Sequence, residues 1–117
     1  MNKLHEYSGY TNKPTWLISL WIDNDEGSHN YVNELAQNCL INNDHEEEAN
    51  KDIKEQIKEL STNDLADLLE DMHSEQAHEL LGSASVFTDL MRFVLAYVNW
   101  NEVAQGYIEQ ALENMES

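Results

Sequence analysis

Asn12-Lys13-Pro14-Thr15-Trp16-Leu17-Ile18-Ser19-Leu20-Trp21-Ile22 is the stretch on which the fold class turns. From 15 to 22 it is apolar on nearly every side, and in so short a run periodicity alone does not separate a buried strand from a buried helix. The residues in front of it decide. Asn12 is a preferred helix N-cap, and Pro14 falls among the first helical positions, where its missing N–H costs little. The stretch reads as a helix, and with it the chain reads as all-α.

Working outward, Asp23-Asn24-Asp25-Glu26-Gly27 closes that segment, and residues 1–12 form an irregular arm rich in Tyr, Asn and Gly. Tyr31, Val32, Leu35, Ala36 and Cys39 make the stripe of a second helix. Asn42-Asn43-Asp44 reads as a turn. Residues 46–60 have a thin apolar stripe (Ala49, Ile53, Ile57, Leu60), the pattern of a peripheral third helix, with Glu46, Glu47 and Glu48 at its positive end. Ser61 or Asn63 then caps a fourth helix carrying Leu65, Leu68, Leu69 and Met72. Residues 74–81 continue it or form a separate turn, and Gly82 is a natural stop.

The most apolar long segment, 85–98, is expected to be the central helix through Phe87, Leu90, Met91, Val94, Leu95 and Val98. Asn99 followed by Glu102 matches a capping box. It opens a last helix through Ala104, Tyr107, Ile108, Ala111, Leu112 and Met115. With no repeat, low-complexity tract or linker, the expectation is one all-α domain of five to seven helices, compact or elongated.

Charge narrows the function. The 117 residues carry 23 acidic and 6 basic side chains, a formal net charge of −17. Such a surface repels nucleic acid and anionic membranes and attracts basic protein surfaces. With 41% apolar residues the chain is not a disordered acidic tail. Thirteen asparagines suggest an AT-rich coding sequence, which ordinarily brings lysine with it, yet only five lysines are present. That shortage points to selection for negative charge rather than drift. A lone cysteine, Cys39, excludes an internal disulfide framework and fits a reducing compartment. Residues 1–10 lack an apolar signal core and no run approaches a bilayer span, so a cytoplasmic location is expected, in a bacterium or in an infected host.

Three segments carry a resemblance: Tyr10-Thr11-Asn12, then Thr15-Trp16 with Leu20-Trp21-Ile22-Asp23-Asn24-Asp25-Glu26-Gly27, and Val98-Asn99-Trp100-Asn101-Glu102-Val103-Ala104. They resemble an uncharacterised family of small acidic proteins borne by phages and plasmids, with a TN-x-x-TW…LW-x-DNDEG opening and a V-[DN]-W-x-E-[IV]-A start to the last helix. The resemblance covers both ends of the chain but not its middle. It implies a mobile-element setting, in which accessory proteins often counter host defence, and it carries no functional residue. In charge and size alone the chain is similar to DNA-mimic inhibitors of restriction and CRISPR enzymes, a functional analogy across unrelated folds.

The candidate partner-binding surface is the acidic belt Asp44, Glu46, Glu47, Glu48, Asp52, Glu55, Glu59, Asp64, Asp67, Glu70, Asp71, Glu75 and Glu79. Within it Asp64, Asp67 and Asp71 fall at i, i+3 and i+7, so successive carboxylates lie about 4.5 to 6 Å apart along a helix axis. Duplex DNA presents one charge per roughly 3.4 Å on each strand. The expected partner is therefore a basic nucleic-acid-binding protein, a host nuclease or CRISPR effector, met without direct nucleic-acid or membrane binding, and a homodimer would extend the reach. The alternative is an adaptor that binds a basic partner without displacing its nucleic acid. Exposed aromatics such as Tyr7, Tyr10 or Trp100 are possible anchors, with the core the better place for the tryptophan.

No catalytic, cofactor or metal site is expected. Asp23, Asp25 and Glu34 match three EF-hand positions, but Gly27 and Ser28 stand where a ligand and the glycine belong. His5, His29, His45, His73 and His78 form no zinc pattern, and Cys39 lies on an apolar stripe, where a buried thiol is the better reading.

Overall fold

The computed structural model describes residues 9–44, 51–82 and 85–116. They form five α-helices: α1 (Lys13–Asn24), α2 (Glu26–Asn43), α3 (Lys51–Leu81), α4 (Val86–Ala96) and α5 (Trp100–Glu116). α2, α3 and α5 pack on one another, α1 lies across α2 and α5, and α4 rests chiefly on α3. Val32, Leu65, Leu69, Ala104 and Ile108 are fully buried where the three central helices meet. At 31 residues α3 is about 46 Å long at 1.5 Å per residue. It gives the molecule extents of 52 × 37 × 25 Å and a radius of gyration of 15.9 Å. A compact chain of this length would have about 13 Å.

α1 is the helix its capping residues announce. Asn12 Oδ1 accepts from the N–H and hydroxyl of Thr15 at 3.0 and 2.6 Å. The same two residues lock the N-terminal segment onto the start of α5. Asn12 Nδ2 donates to the Tyr97 carbonyl at 2.7 Å, and the buried Thr15 hydroxyl accepts from the Asn99 N–H at 2.9 Å. Glu102 receives both the N–H and the hydroxyl of Thr11, at 2.8 and 2.9 Å. The capping box at Asn99 is thus only half formed. Asn99 Oδ1 accepts from the Glu102 N–H at 3.1 Å, but the Glu102 carboxylate turns to Thr11 instead of the Asn99 backbone.

Two boundaries differ from the sequence expectation. Ser61 and Asn63 do not start a new helix, because α3 runs through both without a break. Their polar groups are claimed by neighbouring helices: Ser61 donates to the Cys39 carbonyl at 3.2 Å, and Asn63 accepts from Asn101 at 2.8 Å. A residue whose side chain is satisfied by a neighbouring helix has no need to cap. Likewise 42–43 is no turn, since α2 continues to Asn43 and breaks at Asp44. The stop at Gly82 is as expected. Its φ of +82° is a left-handed value that glycine adopts without strain, and its N–H closes on the His78 carbonyl at 2.9 Å.

The third correction concerns α4. It is not the central helix but a peripheral one, and Phe87, Leu90, Met91 and Val94 are all exposed. Only Thr88 in α4 is buried. Its hydroxyl donates to the Gly82 carbonyl at 2.7 Å, while Ser85 Oγ caps the helix by accepting the Thr88 N–H at 3.1 Å. Val98, expected within this helix, lies in the turn after it and is buried. The central place belongs to α5, whose Val103, Ala104, Tyr107, Ile108 and Ala111 line one inward stripe.

Candidate functional site

Every residue of the expected acidic belt that lies within the described residues is exposed; Glu46, Glu47 and Glu48 lie outside them. The structure sorts them onto different sides of α3. At about 100° per residue, Asp64, Asp67, Asp71 and Glu75 fall within an arc of roughly 80°, opposite the buried Leu65 and Leu69, and run about 16 Å along the axis. Asn43 Nδ2 donates to Asp64 at 2.9 Å, which brings the end of α2, with Asp44, to the start of this ridge.

The remaining carboxylates leave the ridge. Glu55 and Glu59 border a groove between α3 and α5, with Lys58 reaching Glu109 at 3.8 Å beside them. Asp52 follows the same side by its register. Glu70 faces a groove shared with Arg92 of α4, and Glu79 borders a groove near Ser28 and Tyr31 of α2, which Glu75 at the end of the ridge also lines. Leu68, expected on the inner stripe with Leu65 and Leu69, is 44% exposed on the α2 side of the ridge.

Among the described residues no ion pair reaches the ridge. From 64 to 79 the chain has six carboxylates and no Lys or Arg. Among the described residues Lys58 pairs with Glu109 at 3.8 Å and Arg92 with Asp89 at 3.9 Å, and His29 lies 3.7 Å from Asp23. None of these contacts includes a ridge carboxylate. Such a row, held on a long helix with its spacing set by the backbone, attracts a basic surface by its summed field rather than by single contacts.

Asp23, Asp25, Tyr107 and Cys39 are engaged in holding the fold. The Tyr107 hydroxyl donates to Asp23, and burial together with that hydrogen bond pushes the Tyr107 phenol well above the usual range. Asp25 caps α2, accepting from the N–H and hydroxyl of Ser28 at 3.0 and 2.6 Å, which hold its carboxyl below the usual value. The EF-hand register is therefore a helix–helix junction. No group of three His, Cys, Asp or Glu among the described residues is placed to hold a metal. The Cys39 thiol is buried, and desolvation, reinforced by the Asp64 charge, pushes it up, away from the reactive thiolate. Trp100 is a core residue, packed on His73 with ring centroids 5.3 Å apart. Tyr10 is partly exposed, and Tyr7 lies outside the described residues.

The segments that carried the sequence resemblance now have a structural account. Thr11, Asn12 and Thr15 at one end grip Tyr97, Asn99 and Glu102 at the other, while Asp23 and Asp25 secure α5 and α2. These contacts tie the two ends of the chain together. Sequence reasoning missed the large apolar surface of α4, because an amphipathic pattern does not reveal what lies across from it.

Fold and surface together define a small all-α protein that displays an acidic helical ridge. The chain belongs to a family of unknown function (DUF7249), whose model matches residues 3–116. No curated protein and no solved structure matches it. No helix among the described residues is long and apolar enough to cross a membrane.

Proposed function

We propose that this chain is a non-enzymatic acidic inhibitor that competes with nucleic acid for the basic binding surface of a host defence enzyme of the restriction or CRISPR type. The observation that carries this reading is the exposed row Asp64, Asp67, Asp71 and Glu75, which no described cation neutralises. A rigid helix sets the carboxylate spacing in advance, so little ordering entropy is lost when a basic cleft closes on them. Counterions gathered around both partners are released, as they are from DNA. The inhibitor works by occupancy: the channel that grips phosphates is filled. The defence setting follows from the resemblance to small mobile-element proteins.

The test is calorimetric titration of a DNA-gripping nuclease with the chain at several salt concentrations. With four carboxylates engaged, the affinity is expected to fall on the order of a hundredfold as salt rises from about 50 to 200 mM. Binding that is indifferent to salt contradicts an electrostatic grip.

A further inference from the structure

We infer that the apolar face of α4 is a contact through which two copies of this chain pair. α4 turns Thr88 and part of Leu95 toward α3, and its other large apolar side chains stand in solvent. Phe87 is 64% exposed, Phe93 63% and Leu90 56%. At about 100° per residue, Phe87, Leu90 and Val94 share the centre of one arc and Met91 borders it on one side. Asp89 and Arg92 lie on the far side and pair with each other.

Three features point to a second copy as the occupant. Phe87, Leu90, Val94 and Tyr97 recur at steps of three, four and three, the a/d spacing of a helical seam that packs against a like seam. The area is also right. Taking about 200 Å² for a large apolar residue, the exposed fractions from Val86 to Tyr97 leave roughly 800 Å² open, which is the share each partner gives to a standard interface, about 800 Å². An open patch of that size exceeds the few hundred Å² usual on a soluble monomer.

Charge supplies the third feature. Two bodies of −17 repel wherever acid meets acid, and the seam of α4 carries no ionisable carboxylate or base at all. Meeting through this seam sets no carboxylate of α4 directly against its copy, and the ridge carboxylates lie on a different helix, α3. An antiparallel, two-fold arrangement sets each seam on the other and buries the Phe93–Tyr97 ring pair, whose centroids are 5.0 Å apart, at its edge. Pairing through α4 does not depend on what the acidic ridge binds.

Sedimentation equilibrium of the full chain tests this. At physiological ionic strength, where charges more than about 8 Å apart are screened, the wild type is expected at twice its 13.5 kDa chain mass. Leu90→Glu places two unpaired carboxylates face to face in the seam and is expected to raise the dimer dissociation constant by roughly a hundredfold or more. Because Leu90 is exposed in the single chain, helicity by circular dichroism stays unchanged; Val94→Glu is the second variant and is expected to act the same way. A wild-type chain that stays at 13.5 kDa up to sub-millimolar concentration overturns the inference. So does an unaltered dimer in both folded variants.

Discussion

Replacing Leu65 by alanine is expected to cost the fold about 2 to 5 kcal/mol, the range for emptying a leucine-sized site that collapses only in part. Leu65 has no exposed surface and sits mid-way along α3, where α2 and α5 converge. A domain of this size has about 5 to 15 kcal/mol in hand, so the substitution removes a large fraction of its stability. Thermal unfolding followed by circular dichroism should fall by roughly 10 to 20 °C. Leu80→Ala is the control. Leu80 is on the same helix but 78% exposed, and its loss should move the stability by no more than about 0.5 kcal/mol. Equal shifts in the two variants would place the core elsewhere than between α2, α3 and α5.

The second large effect concerns the ridge. Three reversals in one chain, Asp64→Lys, Asp67→Lys and Asp71→Lys, each add two charges and take the net charge from −17 to −11. Affinity for a basic nucleic-acid-binding partner is expected to drop by about a hundredfold or more at low salt, and the slope of log affinity against log salt to shrink by about three units. The fold should survive, since all three side chains are exposed and the single hydrogen bond lost, from Asn43 to Asp64, is worth only about 1 kcal/mol. Relief of self-repulsion works in the opposite, stabilising direction. An unchanged affinity in a helical triple variant removes the ridge from the contact.

The parts of this fold that could be read from sequence are those decided locally. Asn12 and Pro14 announce α1 because a cap and a missing N–H act within a few residues, and the Asn12–Thr15 bonds are such an interaction. Gly82 announces the end of α3 through its own backbone freedom. The Asp64, Asp67 and Asp71 row follows from helical geometry alone. What escaped reading was settled at a distance. Ser61 and Asn63 have the chemistry of caps, but Cys39 and Asn101, 22 and 38 residues away, satisfy them inside a continuous helix. Once α3 is one helix, its register sends Glu55 and Glu59 toward α5 and breaks a belt that looked continuous in sequence. α4 shows the same limit. The period of Phe87, Leu90 and Val94 states that one face is apolar, and it is silent on whether that face is buried against this chain or another.

Displacement of nucleic acid bears most directly on the central claim. A labelled duplex held by a restriction or CRISPR-type nuclease is titrated with the wild-type chain at low salt and followed by gel retention. The account predicts that the duplex is released as the chain binds, with no band containing enzyme, duplex and chain together. A duplex that stays bound while the chain joins the complex contradicts it, and marks the acidic ridge as an adaptor surface instead.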